Sequence, residues 1–412
     1  MATTNTTSTI ASRLKEVYNN GITQLVPTSN ELVGKRLKFK KELELGKSAV
    51  FDVQLSHENG FTVGIGELTL NAAVAQTAAK ATVDAFQVIL RSRVSYDLIN
   101  RAKTTKAAFA RFNDSKFIPM VESFRKREEI YGLYGQDSIG KVLTNTSGAL
   151  VITVESWAPS LWLGSEGAVL VANSTRAADG TQHDADLTIT AVDTATRTVT
   201  VSGTSTSVVQ GDFLFFKGDV TFADDVFACP AGLMRIARNA GSLYGISAAT
   251  YSLWSANAYN AGTSALTIGK ILAAASKAAD KGCDQPLTCL VPVGCFQNLV
   301  ADQAALRKYD GSYSKSKAEN GFESLKFYGS TGSIEIVSHM FMKQGEALLF
   351  PERNTYLIGS TEMTNIVGPG GDIVFDLEST SAKEMRLVSE WTTFCDRPGW
   401  MVLITRSDSG VL

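Results

Sequence analysis

The sequence predicts an α+β fold, with helices and strands segregated rather than alternating in regular βαβ units. Three observations carry this. Short β-like runs cluster between Val142 and Asp219. Apolar residues at helical spacing flank that cluster on both sides. An extended polar stretch from Arg36 to Leu70 precedes them all. At 412 residues, with 44% hydrophobic and 19% charged residues, the chain has a globular composition and is long for one core, so two or three structural units are expected.

The first stretch, MATTNTTSTIASRLKEVYNNG, is polar and threonine-rich. It has no basic segment followed by an apolar run, so it reads as an arm rather than a secretory signal. RLKFKKELELGKSAVFDVQLSHENGFTVGIGELTL follows. Its alternation at Leu37 and Phe39, at Phe51, Val53 and Leu55, and at Phe61 and Val63, punctuated by Gly46 and Asn59-Gly60, predicts strands forming a long hairpin. Lys38, Lys40, Lys41, Glu42 and Glu44 make it polar, and an isolated two-stranded hairpin is marginal in water. The ribbon is therefore expected to lie on something else.

FQVILRSRVSYDL is a strand candidate. Leu98, Ala102, Thr105, Phe109 and Phe112 then fall at helical spacing, and Asn113-Asp114-Ser115 supply a turn and a new cap. A second helix carries Phe117, Met120, Val121, Phe124 and Tyr131 on one face, with Pro119 in its first turn. Its other face carries Glu122, Arg125, Lys126 and Glu129. The pairs Glu122–Lys126 and Arg125–Glu129 are spaced i to i+4 with opposite charge, which suits a solvated or intersubunit face.

From Val142 to Asp219 the runs LVITVESW, GAVLVANS, LTITAVD, RTVTVSG and GDFLFFKGD are separated by turn residues. The hairpin LTITAVDTATRTVTVSG is the middle of this unit. Short strands at this spacing predict a small barrel or sandwich. It reads as an insertion, because mixed helix and strand character resumes after Val226. Leu266, Ile271, Leu272, Ala275 and Ala279 mark an amphipathic helix that Gly282 ends. LTCLVPV is a short buried strand, and Phe296, Leu299, Val300 and Leu306 mark another helix. SIEIVSH and ALLFPERNTYLIG are strands, and GPGGD at 368–372 is a turn. EMRLVSEWTTFC and WMVLITRS are strands around Asp396-Arg397-Pro398-Gly399.

A formal charge of −2 argues against a protein that works by gripping nucleic-acid phosphates. No apolar run approaches the roughly 20 residues that span a bilayer. The five cysteines, Cys229, Cys283, Cys289, Cys295 and Cys395, have no zinc spacing; Cys289 and Cys295 read as small buried hydrophobes, and the odd, scattered count suggests folding in a reducing cytoplasm. His57, His183 and His339 are the three histidines, and none has a sequence neighbour that would orient it. HExxH, GxSxG and CxxC are absent. GQDSIGKV, Gly135 to Val142, nearly fits a phosphate-binding loop, but Val142 replaces the hydroxyl residue and a helix precedes where a strand should. Asp224-Asp225 are adjacent and diverge on a strand. KFKK, Lys38 to Lys41, is countered at once by Glu42 and Glu44. The reading is of no catalytic residue, no cofactor and no metal ligand, in a chain whose product is an assembly.

The order of parts resembles the major capsid proteins of tailed bacteriophages, built on the Johnson fold. The polar arm, the ribbon that is similar to the family's E-loop, the helix ending REEIYGLYGQ that is similar to its spine helix, and ARNAGSLYGISAATYSLWSA, which resembles the entry to the axial domain, carry the likeness. The β unit ending GDFLFFKGD looks like an insertion found in some members. The resemblance implies an arm over 1–35, an E-loop over 36–70, a peripheral domain with the spine helix over 71–141 and an inserted β domain over 142–220. An axial domain over 221–380 and C-terminal strands over 381–412 returning to the peripheral domain complete it.

It also implies that the chain's partner is itself, as pentamers and hexamers tiling an icosahedral shell. The shell would enclose double-stranded DNA without sequence-specific binding, with no membrane, in a virion assembled in the bacterial cytoplasm. Scaffolding, portal and decoration proteins are further partners the family can use. On this reading Phe39, Phe51, Val53 and Phe61 anchor the ribbon on neighbours, and Glu122, Arg125, Lys126 and Glu129 make charged contacts from the spine helix. The rival readings are an extracellular carbohydrate-binding protein whose Trp157 and Trp162 stack on sugar rings, and a hydrolase with an unrecognised site.

Overall fold

A computed structural model describes residues 31–41, 48–96, 118–203, 205–239, 241–301, 324–329, 332–365, 374–376, 381–408 and 410–412. Leu32–Arg36 forms one wide helical turn. It is followed by β1 (Lys38–Lys41), β2 (Ser48–Gln54), β3 (Ala78–Asp84) and β4 (Phe86–Ser95). β2 and β3 pair antiparallel from Ser48 opposite Asp84 to Gln54 opposite Ala78, so residues 55–77 form the connecting tip. The alternation predicted one hairpin over 36–70. Instead β1 leaves the ribbon and runs parallel to Thr355–Asn365. Alternation states which face of a strand is apolar and says nothing about which strand lies beside it.

The helix expected over Leu98–Phe112 lies outside the described residues. α1 spans Ile118–Tyr134. Its first half packs Met120 and Phe124 against Val94, Met385 and Leu387. Its second half buries Lys126, Glu128 and Glu129 as well as Ile130, Leu133 and Tyr134. Apolar and polar residues are spread almost evenly round this helix, because its second half is enclosed on all sides rather than resting on one core. The backbone after it approaches a neighbouring segment closely. A Cβ on Gly135 would lie 2.0 Å from the Pro230 carbonyl oxygen, and Gly232 N–H donates to Gly135 O at 2.8 Å.

β5 (Gly140–Thr146), β6 (Ala149–Ile152), the single turn α2 (Pro159–Trp162), β7 (Val169–Asn173), β8 (Gln182–Asp193), β9 (Thr198–Ser202) and β10 (Phe213–Phe216) come next. The six strands close into a barrel in the order β10-β5-β6-β9-β8-β7. Alternate residues such as Val142, Leu150, Leu187, Ile189, Val199 and Leu214 fill it. Ser147 and Gly148, with φ of +50° and +90°, make the tight turn between β5 and β6. β5 overlaps the stretch that resembled a phosphate loop. LVITVESW is strand only over β6 and then turns through a 3-10 helix at Val154–Ser156.

β11 (Val220–Thr221) pairs with β12 (Val226–Phe227), and after α3 (Leu233–Ala237) β13 (Ser242–Leu243) pairs with β14 (Ile246–Ser247). β15 (Asn257–Asn260), α4 (Ile268–Ala279), β16 (Leu287–Val291) and α5 (Val293–Ala301) follow. β17 (Ser324–Gly329), β18 (Gly332–Ser338), β19 (Glu346–Phe350), β20 (Thr355–Asn365), β21 (Val374–Asp376), β22 (Ala382–Cys395) and β23 (Val402–Thr405) complete the described strands. Thr267 caps α4 by accepting from Lys270 N–H, and Gly282, at φ +79°, follows its end. The turn expected at 368–372 lies outside the described residues.

One sheet runs β1-β20-β22-β21 with β4 added to β22, and a second runs β15-β23-β19-β16-β18-β17. The last two strands of the 381–412 segment fall in different sheets. β22 sits in the first sheet, whereas β23 pairs with β15 and β19 in the second. The largest core cluster joins α1, the barrel, α3 and strands of both sheets. A second lies between α4, α5 and the six-stranded sheet.

Candidate assembly surfaces

The ribbon has two halves with different chemistry. At its base, Ala49, Leu55, Ala81 and Val83 are buried with Ile246, Trp254, Ile358 and Phe394. Phe51 stacks on Phe394 at 4.6 Å, and Tyr244 and Tyr356 meet the same ring at 5.2 and 5.6 Å. Its tip has no such floor. Phe61, Val63, Ile65 and Leu70 are 78%, 93%, 103% and 82% exposed. The tip is tied at its start by Leu55 and Ser56 N–H donating to the Thr77 carbonyl and Thr77 N–H donating to Ser56 Oγ, further out by an isolated bridge, Asn59 to Val74, and by Asn71, whose N–H donates to Thr62 Oγ1 at 2.8 Å and whose Nδ2 donates to the Phe61 carbonyl at 2.7 Å. Four large apolar side chains in solvent on one segment mark an interaction surface rather than ordinary scattered exposure.

Charged groups of α1 work inside the chain. Glu129 accepts from the Leu32 and Val33 N–H groups at 2.7 and 2.9 Å and from His339 Nε2 at 2.9 Å. His339 Nδ1 accepts from the Phe341 N–H at 3.3 Å, so the ring proton sits on Nε2. Burial alone would raise the Glu129 pKa, but the His339 bond and the two N–H donors hold it below the ordinary value. Lys126 donates to the Leu163 carbonyl. Burial, aided by Arg127, lowers its pKa to about 8.

The turn after α1 is the hub of a second buried network. Asp137 accepts from Arg238 Nε at 2.8 Å and from Arg176 Nη1 at 3.2 Å, and Glu346 pairs with Arg238 as well. Lys343, fully buried, donates to the Ser138 carbonyl at 2.6 Å. Desolvation would raise the Asp137 pKa, but Arg238, Arg176 and then Lys343 hold it well below the carboxylate range. Burial lowers the Lys343 pKa to about 8 against the pull of Glu346 and Asp137. These five side chains join the helix exit, the barrel, α3 and the segment leading into β19.

No protein-family model matches the sequence, and no curated protein does either. Solved structures do match. A structure described as the Cyanophage A-1(L) capsid asymmetric unit superposes with a TM-score of 0.56 at 12% identity, covering 97% of this chain and 99% of that one. The capsids of empty and native GTA particles superpose with TM-scores of 0.51 and 0.50 at 7% identity, each over 98% of this chain and 99% of theirs. The chain has the tailed-phage major capsid protein fold.

Within this capsid fold the eight candidate contact residues scatter. Phe39 packs partly buried against the main core from β1. Phe51 and Val53 pack at the base of the ribbon on their own chain. Phe61 alone of the four reaches the exposed tip. Glu129 and Lys126 are buried among partners of the same chain, which corrects their expected place on a solvated face. Helical spacing could not show what encloses the second half of the helix. Arg125 is exposed and Glu122 half-buried, with one carboxylate oxygen buried and lacking a hydrogen-bond partner.

Sequence reasoning missed Ile65 and Leu70, although the alternation it saw at Phe61 and Val63 continues into Ile65. It also missed Asp137, which lay inside the phosphate-loop look-alike and is an ion-pair centre. Trp157 and Trp162 stack on each other at 6.4 Å, 2% and 0% exposed, so neither presents a face to a sugar. All five cysteines are free and buried. Among the described residues no group of three or more His, Cys, Asp and Glu is placed to hold a metal ion, and no helix is long and apolar enough to cross a membrane.

Proposed function

We propose that this chain is the major shell subunit of a tailed-phage head, assembling as pentamers and hexamers into an icosahedral container for double-stranded DNA. The observation that carries the reading is the exposed apolar tip at Phe61, Val63, Ile65 and Leu70, borne on a chain whose fold matches capsid subunits over nearly its whole length. A monomer gains nothing from that tip, whereas sister copies that cover it recover about 25 cal/mol per Å2 of apolar surface removed from water. Copies related by rotation repeat the same head-to-tail contact and close into rings. Arg125 and Glu122 supply charged contacts from α1, and the unpaired edges of the ribbon are shielded by a neighbour. The particle is a virion assembled in the bacterial cytoplasm. DNA is enclosed rather than gripped, in keeping with a formal charge of −2.

The carbohydrate-binding alternative loses its stacking surface with the burial of Trp157 and Trp162. The hydrolase alternative has a histidine–carboxylate pair in His339 and Glu129, but both are sealed from solvent. Electron microscopy and sedimentation of the purified protein test the proposal. Capsomers or closed shells are expected, and a protein that stays monomeric at assembly concentrations overturns it.

A further inference from the structure

We infer that the cleft where the barrel meets α3 is a binding site for one oxyanion, a phosphate or carboxylate group, which bridges the barrel to the body of the chain. This site stands apart from the shell reading.

A cavity of about 450 Å3 lies between the turn after α1, the β7–β8 loop, the β11–β12 turn and α3. Three guanidinium groups line it: Arg176 from the β7–β8 loop, Arg235 from α3 and Arg238 just beyond α3. All three are half-buried. Arg176 and Arg238 already hold Asp137 and Glu346. Arg235 is in no ion pair among the described residues. Its Nη2 donates to the Ser242 carbonyl at 3.2 Å, and its Nε is buried with no hydrogen-bond partner.

The charges point the same way. Lys343 acts on the same two buried carboxylates as Arg176 and Arg238. With Arg235 beside them, Asp137 and Glu346 are outnumbered by cations. Asp179 and Asp225 also line the cavity, but both are exposed, and solvent and salt screen them. A buried guanidinium N–H left unpaired is costly, and an oxyanion entering between the arginines removes that cost. The guanidinium fork matches two oxygens of one carboxylate or phosphate, which selects this class over a spherical anion. The cavity is large enough for one such group on a short stem. Arg176 belongs to the barrel and Arg235 to the body, so the bound group ties the two together.

The probe is inorganic phosphate, titrated at constant ionic strength into the unassembled full chain and followed by its 31P line width. Saturable broadening that acetate reverses is expected. Arg235→Gln should weaken binding by about tenfold or more, and Arg235→Lys, which keeps the charge and loses the fork, by several-fold. Phosphate should also slow proteolytic release of the barrel from the wild type and not from Arg235→Gln. Broadening that never saturates, or that is equal in the wild type and Arg235→Gln, overturns the site. Should Arg235→Gln not fold, Arg235→Lys carries the comparison, and binding equal to the wild type overturns the site. Assembled particles separate two sources of the same chemistry. Phosphate that still binds to particles marks a free anion as the ligand. Phosphate bound by free subunits yet excluded from particles marks an acidic side chain of a sister copy. A chain that never assembles overturns the shell reading and leaves the phosphate result standing.

Discussion

The barrel and the ribbon tip are both built from short alternating segments, yet they solve the problem of exposed strands in opposite ways. The barrel closes on itself, fills its interior with its own aliphatic side chains and leaves no open edge. The tip carries the same residue types, Phe, Val, Ile and Leu, but turns them to solvent. The difference teaches that alternation alone does not decide whether a β segment belongs to one chain. What decides is whether enough strands are near in sequence to surround a core. Six strands between Gly140 and Phe216 are enough, and two are not.

Damage inside the barrel should therefore act on folding, and damage at the tip on association. The largest effect is expected from Trp162→Ala. Trp162 is fully buried, and a Cβ on Gly140 would already stand 2.7 Å from its ring. Denaturant unfolding should show a loss of about 3–5 kcal/mol; a loss under 1 kcal/mol would mean the barrel core is not as tightly packed as described.

Asp137→Ala should cost a comparable amount, about 3–5 kcal/mol, since it leaves the fully buried Lys343 and the half-buried Arg238 and Arg176 with Glu346 as the remaining carboxylate of the cluster. Because this network joins the barrel to the body, limited proteolysis should release an intact barrel fragment first. Cleavage spread evenly along the chain would contradict that junction.

Glu129→Gln should have a smaller effect, about 1.5–3 kcal/mol, because the amide keeps one acceptor oxygen for neutral bonds while its NH2 cannot accept and leaves a buried N–H donor without its partner. It should also change the acid profile. The folded pKa of Glu129 lies below its unfolded value, so its contribution is complete above the ordinary carboxylate range and is lost as pH falls through the folded pKa. Asp137 and Glu346 act in the same direction. Asp219 opposes them, since burial raises its pKa to about 6, and its penalty is relieved on acidification. Wild-type stability should fall below about pH 4, with a shallower fall in the variant; identical acid profiles would remove Glu129 from the account.

The smallest effect on folding is expected from Val63→Ser at the tip, within about 0.5 kcal/mol. The same variant should assemble poorly by light scattering. Unimpaired assembly would show that the tip is not buried between copies.

Much of this contrast was legible in the residues. The runs around LTITAVDTATRTVTVSG announce a small all-β unit, barrel or sandwich, because strand pairing within it is local, and the structure closes it as a barrel. The cysteines, with no ligand spacing, announce themselves as packing residues. The ribbon was legible as extended and poorly supported, though not as β2 paired with β3. Its actual partner lies beyond the tip, and β1 finds a strand more than three hundred residues away. Glu129 and His339 are 210 positions apart, and no periodicity links them. The charges on α1 therefore read as a solvated face.

By itself, the sequence determined the α+β class, the position of the long helix and the presence of a local all-β unit, because propensity, alternation and turn chemistry act over a few residues. Only the tertiary structure decided which strands are neighbours, that β22 and β23 part into different sheets, that Glu129 and Asp137 serve as internal clamps, and where the ribbon stops being supported. Those outcomes depend on contacts between residues hundreds of positions apart, whose energies are set by burial and by partners that no local pattern specifies.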